Sequence, residues 1–281
     1  MDNPITVSPT ALTNLLTVSA LLFLMPLLFV LLWKKRCGKA ASLLPLFLGA
    51  AGFIVSARIL ELGVHMVCIV LDNPVSRFIN GNTLVYVLYG ASMAGIFEEC
   101  GRYVVLAFLM KKKLSRENIV MYGIGHGGIE VWSVTLMSMI SLLAIVLALQ
   151  AGGPDALQML GISMSDGASL AVVQAAAGFS AANGALAVIE RFFCMFLHIG
   201  LTVVVGYGVM TGQKRYLPFA ILAHMAIDIL PALSQRVVVG VWLVEGWLFV
   251  CAVLTTLWAV LLYRKMPGSK TPKPAEANCG V

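Results

Sequence analysis

Residues 83–110 read TLVYVLYGASMAGIFEECGRYVVLAFLM, an apolar run that Glu98, Glu99 and Arg102 interrupt. The run is long enough to cross a bilayer, since a transmembrane helix needs about 20 mainly apolar residues. A charged side chain near the centre of a bilayer costs about 2.5–3.5 kcal/mol on insertion scales, and such residues usually mark a functional site. The stretch therefore predicts a membrane helix that carries a polar site.

The composition of the whole chain agrees with that prediction. Of the 281 residues, 60% are hydrophobic and 11% are charged, and the mean hydropathy is +0.93. Soluble globular proteins carry about 25% charged residues, so the chain is an integral membrane protein. The pattern predicts an all-α, polytopic bundle with about seven spans, at 12–33, 42–70, 83–110, 118–149, 184–210, 216–233 and 237–263. We expect a single transmembrane domain over 1–263, with a catalytic core at about 83–233, followed by a disordered cytoplasmic tail at 264–281.

The basic residues predict how the chain is oriented. Fourteen of the 19 lysines and arginines fall in the segments that follow the first, third, fifth and seventh spans. Cytoplasmic loops carry the excess of Lys and Arg, which places the N-terminus outside and the C-terminus inside. Segment 150–183 has no Lys or Arg, so it is expected outside, where it can hold an interfacial helix. Because this topology accounts for the net charge of +6, we expect the lipid bilayer as a partner and no nucleic acid.

Buried ionisable residues recur at one depth. A helix rises 1.5 Å per residue, which puts Glu98 and Glu99, His126, His198 and His224 roughly 12–18 Å from the predicted cytoplasmic ends of four different spans. Isolated polar residues have no reason to share a depth. The agreement predicts that these side chains meet.

Spacing within the spans adds partners to this layer. Glu98 and Arg102, His126 and Glu130, and His224 and Asp228 are each four residues apart and share a helix face. A carboxylate can fix the tautomer of a neighbouring histidine, and an arginine can hold a carboxylate ionised. The candidate catalytic residues are Glu98, Glu99, Arg102, His126, Glu130, His198, His224 and Asp228.

Other charged residues in the spans are interpreted as structural. Glu190 and Arg191 are expected to form an ion pair, as are Arg58 and Glu61. His65 and Glu245 lie too near the predicted outer ends to join the layer.

The candidate residues suit the activation of water. A glutamate can take a proton from water, and histidines can stabilise an oxyanion or a leaving amine. Alternatively, imidazoles and a carboxylate can bind zinc and leave one position for water, with His126, His198, His224 and Glu98 as the candidate ligands. A proton-coupled transporter and a non-catalytic immunity or binding protein of the membrane are further readings of the same buried charges.

The order of the motifs resembles a known family. They are Glu98-Glu99-x-x-Arg102, Gly125-His126-Gly127-Gly128-x-Glu130, His198 and His224-x-x-x-Asp228. This order resembles the YhfC family of intramembrane proteases and, more distantly, is similar to the CAAX prenyl protease and bacteriocin-processing (CPBP) group. The resemblance implies a multi-pass endopeptidase of the bacterial plasma membrane that cleaves a membrane-embedded or lipidated peptide or protein. It implies Glu98 or Glu99 as the base, His126, His198 and His224 as groups that orient water or stabilise the oxyanion, and no required cofactor, with zinc as the alternative.

Overall fold

The computed structural model describes residues 5–267, and its regular elements in that range are helices. The all-α prediction is thereby confirmed for the described residues. The helices are α1 (Ala11–Cys37), α2 (Leu44–Val70), α3 (Pro74–Gly81), α4 (Thr83–Val104), α5 (Arg116–Met159), α6 (Gly167–Ala177), α7 (Ala181–Thr211), α8 (Tyr216–Ser234) and α9 (Val241–Lys265).

Six of these helices are long and apolar enough to cross a membrane: α1, α2, α5, α7, α8 and α9. Helix α4 is not among the six, and Glu98, Glu99 and Arg102 make it less apolar than those six helices. It nevertheless has 22 residues, which is enough for a span, and a π-helical segment, Val105–Leu109, extends it further. Leu31, Phe108 and many other large apolar side chains are exposed, as expected of surfaces that face lipid. The protein is therefore a polytopic membrane protein.

The described chain divides into two compact units. The first comprises residues up to 28 together with 128–195, and the second comprises 29–127 together with 196–267. In the first, the ring of Trp132 stacks on Phe23 at 5.4 Å, and its Nε1 donates to the carbonyl oxygen of Phe23. In the second, Trp247 Nε1 donates to the carbonyl oxygen of Ile227 and so joins α9 to α8.

Two glycines in the second unit bring the backbones of α2 and α5 into contact. A Cβ on Gly49 would overlap the carbonyl oxygen of Tyr122, and a Cβ on Gly125 would overlap that of Leu46. Small residues allow helices in a membrane to approach this closely. The contact fixes the turn of α5 that carries His126.

Segment 150–183 is more helical than expected. Helix α5 continues to Met159, with a break at Gly153, whose φ of 62° lies in the left-handed region and which Pro154 follows. The short apolar helix α6 then begins after Asp166, whose side chain accepts a hydrogen bond from the amide of Ser169. The prediction of a loop from residue 150 was wrong over its first ten residues, because the chain is helical on both sides of the kink at Gly153.

The predicted tail at 264–281 falls mostly outside the described residues. Helix α9 includes its first two residues, Arg264 and Lys265, and residues 268–281 lie beyond the described range. The orientation of the chain and the single domain over 1–263 stay predictions.

Candidate active site

The buried ion pair of α4 lies at the centre of the second unit. Arg102 Nη1 donates to both carboxylate oxygens of Glu99, at 2.6 and 2.8 Å. The two residues are three positions apart, which is about one helical turn. Both side chains are fully buried. A buried charge is tolerated only with a well-aligned opposite charge, and a two-point contact of this kind supplies one.

Helix α8 adds an imidazole and a further carboxylate. His224 Nδ1 donates to Glu99 Oε1 at 2.7 Å, and His224 Nε2 lies 3.4 Å from Asp228 Oδ2. The close packing of α8 on α4 makes this possible, since a Cβ on Gly95 would lie 2.9 Å from the carbonyl oxygen of Ile221. Both oxygens of Glu99 are therefore engaged, and one of them accepts from two donors.

Glu98 points to a different set of partners. Its Oε2 atom lies 3.0 Å from His126 Nε2 and 3.7 Å from His198 Nδ1. One ligand atom from each of the three residues lies within 4.8 Å of the other two, and all three residues are buried. We call this set the Glu98–His126–His198 group. It draws one side chain from each of α4, α5 and α7.

Arg102 links the group to the Glu99 pair. Its Nη2 atom donates to His198 Nδ1 at 3.2 Å and lies 4.0 Å from Glu98 Oε2. Thr202 Oγ1 donates to the backbone carbonyl of His198 one turn further along α7. His126, His198 and His224 thus belong to one continuous cluster. The imidazole centroid of His198 lies 5.2 Å from that of His126 and 6.0 Å from that of His224.

Aromatic side chains enclose His126. Phe53 lies edge-to-face against it at 5.2 Å, and Tyr122 lies one turn before it on α5 with ring centroids 6.0 Å apart. His126 Nδ1 and Tyr122 Oη are both buried without a hydrogen-bond partner among residues 5–267. A buried polar atom without a partner is costly, and such atoms call for an explanation such as a water, an ion or a substrate.

Seven of the eight predicted site residues therefore come together: Glu98, Glu99, Arg102, His126, His198, His224 and Asp228. Sequence reasoning missed Tyr122, although its spacing of four residues from His126 places it on the same helix face. It also missed Phe53, for which the sequence holds no signal beyond its apolar character.

The eighth candidate, Glu130, belongs to the first unit, where its Oε1 accepts a hydrogen bond from Arg191 Nη1 at 2.8 Å. Arg191 Nη2 also donates to Glu190, so the predicted Glu190–Arg191 pair is present and Glu130 extends it. The i,i+4 spacing predicted Glu130 as the carboxylate partner of His126. That prediction was wrong, because the hydrogen-bond partner of His126 is Glu98 on another helix.

Two further expectations need correction. His224 is not a member of the group with metal-ligand spacing, since its imidazole contacts Glu99 and Asp228 instead. The expected Arg58–Glu61 pair is absent from the described residues, and Glu61 pairs with His65 at 3.2 Å. Glu245 is buried on α9.

The donor set of the Glu98–His126–His198 group fits a metal ion. Two imidazole nitrogens and one carboxylate oxygen are the protein ligands of many catalytic zinc sites, where the fourth position is left for water. One hydrogen bond competes with such an ion. The Nδ1 lone pair of His198 accepts from Arg102 here, and it cannot serve the guanidinium and an ion together.

Comparison with known proteins agrees with this geometry. A family model described as YhfC intramembrane metalloprotease matches residues 21–248. The chain belongs to the YhfC family. The YhfC membrane protein of Bacillus subtilis (strain 168) is 33% identical over 255 residues, which cover 90% of this chain and 97% of the relative. No solved structure matches. The more distant similarity to the CPBP group is not among these findings and stays a prediction.

Proposed function

We propose that this YhfC-family chain is an intramembrane endopeptidase that hydrolyses peptide bonds of a membrane-embedded or lipidated protein, with zinc held by the Glu98–His126–His198 group. One observation carries the proposal: three side chains of the right chemistry, from three helices, converge inside an apolar fold with their ligand atoms within 4.8 Å of one another. The description of the matching family, an intramembrane metalloprotease, supports the same reaction class.

Glu98, His126 and His198 would hold the ion, each through one ligand atom. A zinc ion bound there supplies Lewis acidity, which activates water at neutral pH and polarises the peptide carbonyl. Peptide hydrolysis also needs groups that stabilise charge and move protons, and the neighbouring side chains provide both.

Arg102 is the candidate for stabilising negative charge. Glu99 holds its Nη1 at two points, so the guanidinium cannot turn away and Nη2 stays beside His198 and Glu98. A fixed donor in a buried site stabilises a developing oxyanion more than a mobile one in water does. Glu99 itself has both oxygens engaged, which suits a positioning residue better than a general base.

His224 is the candidate for proton transfer. Glu99 accepts from its Nδ1, and this orients Nε2 toward Asp228 Oδ2, 3.4 Å away. A histidine held between two carboxylates can pass a proton at one nitrogen while the other stays anchored.

A glutamate mechanism without a metal is the second candidate. The hydrogen bond from Arg102 Nη2 to His198 Nδ1 favours it, because that bond uses the lone pair a metal would need. In this case Glu98 takes the proton from water, and His126 and Arg102 stabilise the oxyanion.

Metal analysis of the purified, folded protein separates the two mechanisms. We expect about one zinc per chain, lost in His126→Ala and His198→Ala and retained in His65→Gln, whose imidazole pairs with Glu61 outside the group. Chelation should abolish cleavage of a reconstituted membrane substrate, and added zinc should restore it. Full cleavage by protein without metal would overturn the zinc proposal in favour of the glutamate mechanism. Unchanged cleavage in both Glu98→Gln and Glu99→Gln would exclude both the zinc mechanism and the glutamate mechanism.

A further inference from the structure

A cavity of about 390 Å³ opens in the second unit between α2, α4 and α8. Its polar lining includes His65, Tyr86, Tyr89, Asp228 and Gln235. A water molecule occupies about 30 Å³ in the liquid, so the volume suffices for several. Cavities hold water when polar groups are present to bind it and stay dry when their walls are apolar.

The polar groups of this cavity are already organised by hydrogen bonds. His65 Nδ1 lies 3.0 Å from Tyr89 Oη, and Tyr86 Oη donates to Gln235 Oε1 at 3.1 Å. The side chain of Asp228, which lines this space, is 31% exposed, against 6% for its neighbour His224. The wall therefore presents hydroxyl, imidazole, amide and carboxylate groups to anything that enters.

Asp228 connects the cavity to the active site. Its Oδ2 lies 3.4 Å from His224 Nε2, and His224 Nδ1 donates to Glu99. Arg102 then joins Glu99 to His198 and the Glu98–His126–His198 group. No apolar residue interrupts this series of polar contacts.

The other large clefts of this unit differ in chemistry. One of about 530 Å³ has walls that include Phe29 and Phe196 together with the charged Arg36 and Arg264, and none of the cluster residues lines it. One of about 500 Å³ has walls that include Leu48, Val55 and Val104, which suit acyl chains or an apolar segment of a substrate and offer few partners to water.

We propose that the cavity between α2, α4 and α8 is filled with water and supplies the water consumed at the active site, with Asp228 at its inner end. The proposal rests on the proposed hydrolytic function for what the water is used for. The cavity lies near Thr83, where α4 begins, and near Ser234, where α8 ends, so water enters opposite the basic segments 111–113 and 214–215.

Thiol labelling tests for water without reference to proteolysis. Ala94, which lines the cavity, is changed to cysteine and treated in intact membranes with a charged, membrane-impermeant thiol reagent. Val238→Cys, in the fully exposed turn after α8, reports which side this end of the unit faces. Leu88→Cys is the dry control, because Leu88 is 48% exposed on the same helix, nearer its start, and faces away from the cavity. Peptide-level mass spectrometry distinguishes each new cysteine from the native ones.

We expect Ala94→Cys to be labelled from the same side as Val238→Cys, and Leu88→Cys to be labelled only after denaturation. Absence of labelling at Ala94→Cys, or labelling only from the opposite side, would overturn the proposal. Neither result depends on whether the protein is a protease, so failure of the cavity proposal and failure of the proposed function are distinguishable.

A plug variant then tests the route. Gly90 lines the cavity, and a Cβ built there meets only the Cβ of Ala232, at 4.0 Å, so the backbone leaves room for a side chain and Gly90→Leu is the plug variant. We expect severalfold slower labelling of Ala94→Cys and slower cleavage, with zinc content unchanged. Gly246→Leu on α9, where nothing lies within 4 Å, is the matched control and should change neither rate. Normal cleavage in a plugged protein whose labelling has slowed would show that water arrives by another route.

Discussion

The two units each bury an arginine with two carboxylates, and only one of them also brings imidazoles together. In the first unit Arg191 binds Glu130 and Glu190, and Glu190 remains 36% exposed. In the second unit Arg102 binds Glu99 and approaches Glu98, and the arginine is fully buried. All four histidines of the chain belong to the second unit. A buried charge in a membrane helix is therefore a weak guide to catalysis, and its meeting with imidazole nitrogens is a stronger one.

The largest expected difference between the two clusters is in stability. Arg102→Met leaves Glu99 charged and fully buried, which should cost about 3–5 kcal/mol. Arg191→Met should cost less, because Glu190 is 36% exposed whereas Glu99 is fully buried. Thermal unfolding of the purified variants measures both. Adding Glu99→Gln to Arg102→Met should recover part of the loss, and equal losses for the two arginine variants would contradict the comparison.

Catalysis should depend most strongly on the second cluster. His198→Ala removes both a member of the group with metal-ligand spacing and the partner of Arg102, and it should slow cleavage by roughly 10²–10³-fold, as the loss of one charge-stabilising group typically does. Glu130→Gln removes a charged partner of Arg191 and should slow cleavage by folded protein far less than His198→Ala does. A comparable rate loss in Glu130→Gln would mean that both clusters serve the reaction.

Substitution of Asp228 should slow cleavage by an intermediate amount, because Asp228 acts through His224. Asp228→Asn keeps the shape of the side chain and removes its charge, and we expect cleavage to slow by about 10–100-fold, the usual range for an outer partner of a catalytic histidine. The loss should fall on kcat rather than KM, with a shifted pH–rate profile. A change in KM alone would assign Asp228 to substrate binding.

The smallest effect concerns a carboxylate in neither cluster. Hydrogen bonds from the Ser169 hydroxyl and amide lower the pKa of Asp166 from its ordinary 3.8. A lowered folded-state pKa means that the stabilisation of α6 is present above the ordinary pKa and is lost as the pH falls through the lowered one. Asp166→Ala should therefore speed hydrogen exchange in Gly167–Ala177 at neutral pH and leave cleavage unchanged. Exchange that is indifferent to the substitution would show that this cap does not hold the helix.

The sequence predicted the cluster better than it predicted the partners within it. A common depth in four spans was enough to bring Glu98, His126, His198 and His224 together, because helix rise is nearly constant. Spacing along one helix could not reveal that Arg191 faces Glu130, or that Glu98 and not Glu130 meets His126, since those contacts depend on how neighbouring helices are rotated. Rotation also separates His224 from the metal-ligand group while leaving it only 2.7 Å from Glu99.

The glycine contact between α2 and α5 has a mechanical consequence. With Gly49 set against the backbone of Tyr122, and Gly125 against that of Leu46, the two helices interlock at main-chain level. Sliding one past the other by a turn of 5.4 Å would drive side chains into carbonyl groups. His126 is therefore held at a fixed position along the α2–α5 pair. If a substrate enters, a helix outside this pair has to move.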